Sequence, residues 1–149
     1  MAEKQYEALK LENQLCFPLY AASKEIVRLY KPYLDKLGLT YTQYITMMVL
    51  WERQQLTIKE LGDILYLDSG TLTPLLKKMA LNGLIVRERS VIDERNVLVS
   101  LTSKGEALKD QAISVPSEIG SCIPLNSDEV KELYRLLYKT LDNLRPVAD

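Results

Sequence analysis

Apolar residues along the chain recur mostly at three- and four-residue intervals, the spacing of one face of an α-helix. Leu15, Leu19, Ala22, Ile26, Leu29 and Tyr33 form the first such series and predict a helix from Leu15 to about Leu37. Proline fits a first turn but bends a helix interior, so Pro18 predicts a late start or a bend near Cys16. Gly38 then ends the element. Thr40 is placed to cap a second helix that carries Tyr44, Met47, Met48, Leu50 and Trp51. Thr57 and Glu60 have the spacing of a capping box, in which each side chain satisfies the other's free backbone donor. It opens a short helix from Ile58 to about Leu65. Asp68 or Ser69 caps the next, which runs to about Asn82 and stops at Gly83.

The pattern then changes. Leu84 to Ser90 and Asn96 to Leu101 are rich in β-branched residues and flank Asp93, Glu94 and Arg95, which predicts a β-hairpin with a charged tip. Helix resumes from Thr102 to about Ala112. A looser stretch with Pro116, Gly120 and Pro124 follows, and then a C-terminal helix carrying Val130, Leu133, Leu137, Leu141 and Leu144. Asn126, Ser127, Asp128 and Glu129 suit that helix's N-terminus. The fold class is mainly α with a small β-hairpin wing (α+β), and residues 57–101 follow the plan of a winged helix-turn-helix.

Composition narrows the chemistry. At 149 residues the chain suits a single domain. With no histidine, imidazole catalysis and histidine-ligated metal sites are excluded. The two cysteines, Cys16 and Cys122, form no CxxC pair and cannot build a zinc site alone. No catalytic residue, metal ligand or cofactor is assigned. There is no run of 18 apolar residues and the first 14 are polar and mixed in charge. The expectation is a cytoplasmic protein with no membrane partner, whose thiols stay reduced unless they are meant to react.

Net charge −1 and a pI near 5.6 do not announce a nucleic-acid binder, so any basic surface must be local. Between Thr71 and Arg89 it is: Lys77, Lys78, Arg87 and Arg89 face only Glu88. Leu72, Leu75, Leu76 and Met79 make the apolar side of the second helix of this helix-turn-helix and leave Ser69, Thr71, Thr73, Lys77 and Lys78 towards solvent. Small hydroxyl side chains suit base edges, and lysines and a helix N-terminus suit phosphates. Arg95 at the hairpin tip suits a minor groove, while Asp93 and Glu94 shape the tip by pairing with nearby arginines. With Asp68 at the helix start, these are the candidate contacts to double-stranded operator DNA. Taken singly, each is equally a solvated surface charge.

The segment from Asp68 to Met79 (DSGTLTPLLKKM), followed by Gly83-Leu84-Ile85 and Asp93-Glu94-Arg95, resembles the MarR family of winged-helix regulators. Leu11 to Phe17 (LENQLCF) narrows the likeness to the organic-hydroperoxide-sensing, OhrR-like branch, of the two-cysteine type. The resemblance spans nearly the whole chain and implies one MarR-type domain over 1–149. Its DNA-binding lobe is 57–101, and dimerisation helices lie within 1–40 and 103–149. It also implies a homodimer on a palindromic operator, acting as a repressor until oxidation releases it.

Cys16, between Leu15 and Phe17, is on the bland reading a small buried hydrophobe. The functional reading needs a thiolate, favoured by a helix N-terminus and by hydroxyl donors. Nine tyrosines against one phenylalanine supply such donors, and Tyr20 lies one turn from Cys16. The resemblance implies that Tyr30 and Tyr41 hydrogen-bond the reactive sulfur across the dimer interface. It further implies an apolar pocket of Phe17, Tyr20 and the second helix's methionines that selects organic hydroperoxide. Cys122 falls about where the resemblance puts a resolving cysteine; otherwise it is a bystander and a low-molecular-weight thiol resolves Cys16. Pro18 departs from the pattern expected after LCF. Two other functions stay open: release by a small phenolic ligand, and a thiol-dependent peroxidase, against which no Thr-x-x-Cys motif surrounds Cys16.

Overall fold

A computed structural model describes residues 5–144. The outermost residues of the expected terminal helical regions, 1–4 and 145–149, lie outside the described residues. Two short 3₁₀ turns, Glu7–Leu9 and Leu11–Asn13, precede the first long helix, α1 (Cys16–Leu37). They are tied down by side chains: Asn13 Nδ2 donates to Glu7 O at 2.7 Å and Gln14 Nε2 to Ala8 O at 2.6 Å. The helix starts at Cys16 itself. Pro18 therefore occupies the first turn, where its missing N–H has no intrahelical partner to lose, and the expected late start does not occur. Gly38, at φ 68°, closes the helix in the left-handed conformation.

Next come α2 (Tyr41–Arg53), β1 (Gln55–Thr57), α3 (Ile58–Leu65) and α4 (Ser69–Leu81). Thr40 and Gln43 form a full capping box on α2, as Thr57 and Glu60 do on α3. Hydrogen bonds from the Thr57 backbone and hydroxyl hold the Glu60 carboxyl below its ordinary pKa. The turn between α3 and α4 requires a small residue behind it: a Cβ on Gly62 would stand 2.6 Å from Leu67 O.

The hairpin strands are β2 (Ile85–Arg89) and β3 (Val97–Leu101). They pair antiparallel with Arg87 opposite Val99, and β1 adds on the other side of β3 with Leu56 opposite the same Val99. The wing is thus a three-stranded sheet in the order β1-β3-β2. Three residues are too few to show alternation, so β1 is invisible until β3 is there to pair with it. The core lies between this sheet and α2, α3 and α4, with Met47, Leu50, Leu61, Leu72, Leu76, Met79 and Val99 fully buried. Trp51 Nε1 donates to Gly105 O at 3.0 Å and joins α2 to the next helix, α5 (Ser103–Ala112).

The stretch expected to be loose is instead helical, α6 (Val115–Cys122), packed on α1 through buried Val115 and Ile119. Pro116 sits in its first turn, where proline is tolerated, and the packing outweighs the glycine at 120. The last helix, α7 (Ser127–Leu144), is capped by Asn126, whose Oδ1 accepts from the Asp128 and Glu129 N–H groups at 3.0 Å. No residue of α7 is buried. Among the described residues no helix is long and apolar enough to cross a membrane.

Candidate DNA interface and thiol site

Two groups of candidate residues occupy opposite parts of the chain. On the lobe, α4 turns Leu72, Leu76 and Met79 into the core and leaves Ser69, Thr71, Lys77 and Lys78 exposed, with Thr73 half-buried. Asp68 caps the helix, its Oδ1 accepting from Thr71 N at 2.7 Å. That carboxylate is spent on orienting the helix start, so Asp68 sets the position of Ser69 and Thr71.

The wing extends from the same lobe, with β2 packed against α4. Arg89 is exposed, whereas Arg87, opposite the buried Val99, is half-buried, and its Nε is buried without a hydrogen-bond partner. At the tip, Asp93 Oδ1 accepts from Arg95 N at 3.1 Å and lies 3.4 Å from Arg95 Nε. The expected pairing of tip charges is therefore Asp93 with Arg95. The Arg95 side chain remains 93% exposed.

Cys16 is exposed, not buried, as the first residue of α1. Its bland reading as a core residue does not hold for the protomer. Around it Leu15, Phe17, Leu19 and Tyr20 are exposed as well. Tyr20 carries the Lys24 ammonium 5.2 Å from its ring centroid. A shallow groove of about 610 Å³ is lined by Lys10, Leu11, Glu12 and Phe17. The second helix's methionines do not join it: Met47 belongs to the core and Met48 is exposed elsewhere on α2.

Tyr30 and Tyr41 are brought together, ring centroids 4.9 Å apart in an edge-on contact, with Tyr44 5.8 Å from Tyr30. Burial raises the pKa of Tyr30, Tyr41 and Tyr44; Tyr41 adds to the shift of Tyr30, and both add to that of Tyr44, so these hydroxyls stay protonated donors at neutral pH. Tyr30 lies 14 residues beyond Cys16 on one helix, about 21 Å along its axis at 1.5 Å per residue. Within one protomer the tyrosine pair and the thiol do not meet.

Cys122, the last residue of α6, is exposed and sits against Tyr33 of α1. The Tyr33 pKa is raised by lost hydration, then by the neighbouring Cys122 and Glu118, and by a hydrogen bond to Cys122. Tyr33 had shown only as one of α1's apolar-face positions; its link to Cys122 needs α6 to fold back on α1. Among the described residues, no three His, Cys, Asp or Glu side chains gather as a metal cage.

Residues 28–112 match the family of the transcriptional regulator SarA/Rot. The chain is 50% identical over 142 residues to the organic hydroperoxide resistance transcriptional regulator of Bacillus subtilis, covering 95% of this chain and 97% of that one. It superposes on overoxidized AbfR bound to DNA with a TM-score of 0.75 at 36% identity, over 97% of this chain and all of that one. Disulfide-formed AbfR gives 0.65 at 33% identity, over 97% and 98% of the two chains. A MarR mutant from E. coli in complex with operator DNA gives 0.74 at 29% identity, over 85% and 93%. Half of the residues shared with the first relative over nearly the full length of both chains, and the superposition on the others, show that the chain belongs to the MarR family of winged-helix transcription regulators, in the branch of the organic-hydroperoxide regulators.

Proposed function

We propose that this chain is an oxidant-sensing repressor that holds a palindromic operator as a reduced homodimer and releases it when organic hydroperoxide oxidises Cys16. The supporting observation is the exposed Cys16 at the first position of a long helix, in a chain half identical to an organic hydroperoxide resistance regulator. Ser69, Thr71, Thr73 and Lys77 on α4 and Arg95 on the wing meet the DNA, with Lys78, Arg87 and Arg89 adding positive charge.

The thiolate of Cys16 attacks one peroxide oxygen. An S–O bond forms, the O–O bond breaks, and the alkoxide leaves and takes a proton as the alcohol. The resulting sulfenic acid condenses with a second thiol, forming S–S and releasing water. Cys122 of a second copy is that thiol in the proposal, with a low-molecular-weight thiol as the other route. Since Tyr30 lies about 21 Å along α1 from Cys16 in the same protomer, with Tyr41 of α2 packed on it, their hydroxyls serve the thiolate of the second copy. Oxidation removes that negative charge and moves α1. Two half-sites about one DNA turn apart must be met together, so a small change in lobe spacing lowers affinity, and an ordinary coupling of roughly 1–3 kcal/mol suffices for a 5–150-fold loss.

Gel shift with and without cumene hydroperoxide tests the proposal. Wild type is released, and Cys16→Ser stays bound; release of the serine variant refutes the cysteine as sensor. Cys122→Ser abolishes a peroxide-induced dimer band on a non-reducing gel if Cys122 resolves, and leaves release intact if a small thiol does.

A further inference from the structure

The wing tip carries two aliphatic side chains that DNA recognition by α4 and Arg95 leaves without a role. Val91 and Ile92 are 98% and 99% exposed, the highest values among the exposed large hydrophobic residues described. Their backbone is held in place. Ser90 Oγ accepts from Ile92 N at 3.2 Å and Asp93 N at 3.3 Å. Ser90 N donates to Asn96 O at 2.8 Å, and Asn96 N to Asp93 O at 2.9 Å. Both side chains are β-branched and stiff at χ1, so covering them costs little further conformational entropy.

Charge does not explain how such a tip would adhere. The hairpin's three arginines, Arg87, Arg89 and Arg95, are matched by Glu88, Asp93 and Glu94. Two side chains are also far too little for a protein interface, which takes about 800 Å² from each partner. They do suit the minor groove, about 6 Å wide, where apolar side chains pack on sugars and partly unstack a base step.

Resting on the operator-binding proposal above, we propose that Val91 and Ile92 form an apolar wedge seated in the operator's minor groove beside Arg95, on the flank of the major groove that receives α4. The hydrogen-bonded tip presents the wedge already formed, and flexible pyrimidine–purine steps such as TA accept it at least cost.

The test uses full-length reduced protein and a duplex that wild type selects from a randomised pool, with affinity measured by fluorescence anisotropy from 50 to 200 mM salt. Val91→Ser/Ile92→Ser weakens binding about 10- to 100-fold at every salt concentration, about 1.4 kcal/mol per tenfold. The slope of log K against log salt is unchanged, because no phosphate contact is lost. Arg95→Ala instead makes that slope shallower by up to about 0.9 if its guanidinium meets a phosphate. The swap Val91→Ile/Ile92→Val keeps affinity within about twofold, and the serine variant melts with wild type because neither side chain is packed. Binding by the serine variant within twofold of wild type overturns the wedge while leaving operator binding intact. A change confined to the salt slope also overturns it. If wild type selects no duplex, the operator-binding proposal falls, and the wedge with it.

Discussion

From α2 to β3 every element carries at least one buried residue, and the apolar faces of α3 and α4 close on the sheet through Leu61, Leu72, Leu76 and Val99. The two ends of the chain are built differently. In α1 only Leu34 is buried, and α7 buries nothing, leaving Leu15, Phe17 and Leu19 at one end and Val130, Leu133, Leu136 and Tyr138 at the other in solvent. These are regular helices with an apolar stripe, α1 closed by Gly38 and α7 capped by Asn126, so they are not short of local order. They are short of a surface to pack on. The lobe completes its core within one chain, whereas the terminal helices call for a second copy, as the homodimer proposal requires.

The strongest way to break that contrast is to truncate one leucine in each region. Leu76→Ala should cost about 2–5 kcal/mol through the cavity it leaves, lowering the urea midpoint equally at every protein concentration. Leu133→Ala should lower the midpoint mainly in dilute solution, because it weakens association rather than the protomer core. Equal concentration dependence in both variants would refute the division into a self-sufficient lobe and partner-dependent ends.

A smaller effect sharpens the account of the lobe. Asp68→Ala removes the α4 cap and should cost about 1 kcal/mol, again independent of concentration. Because the carboxylate orients the helix start, operator affinity should fall in the same variant, whereas a mere surface charge would gain affinity when removed.

The smallest effect lies at the seam, where Tyr30 of α1 meets Tyr41 of α2. Both folded-state pKa values are raised above 10.0, chiefly by burial. Groups of this kind contribute stability that is present below the unfolded pKa and lost as pH rises through the folded one. Stability should therefore fall on the alkaline side above about pH 10, and Tyr41→Phe should flatten that limb while leaving neutral pH nearly unaffected. An unchanged limb would mean the seam phenols are hydrated in solution.

The sequence alone determined most helices, because their signals are local: capping pairs such as Thr57 with Glu60, apolar spacing along α4 and α7, and Gly38 as a stop. It also determined the hairpin and the cysteine-bearing LENQLCF segment. Tertiary structure decided what depends on a partner distant in the chain. Strand β1 exists because β3 offers a free edge, and α6 holds its helix against α1 despite a proline and a glycine. Cys122 meets Tyr33 through that same packing. The exposure of Cys16 likewise follows from where α1 lies, whereas its separation from Tyr30 is set by 14 residues of one helix and is legible in the sequence. Periodicity records which face of a helix avoids water, but only the assembled fold settles whether a neighbour covers that face.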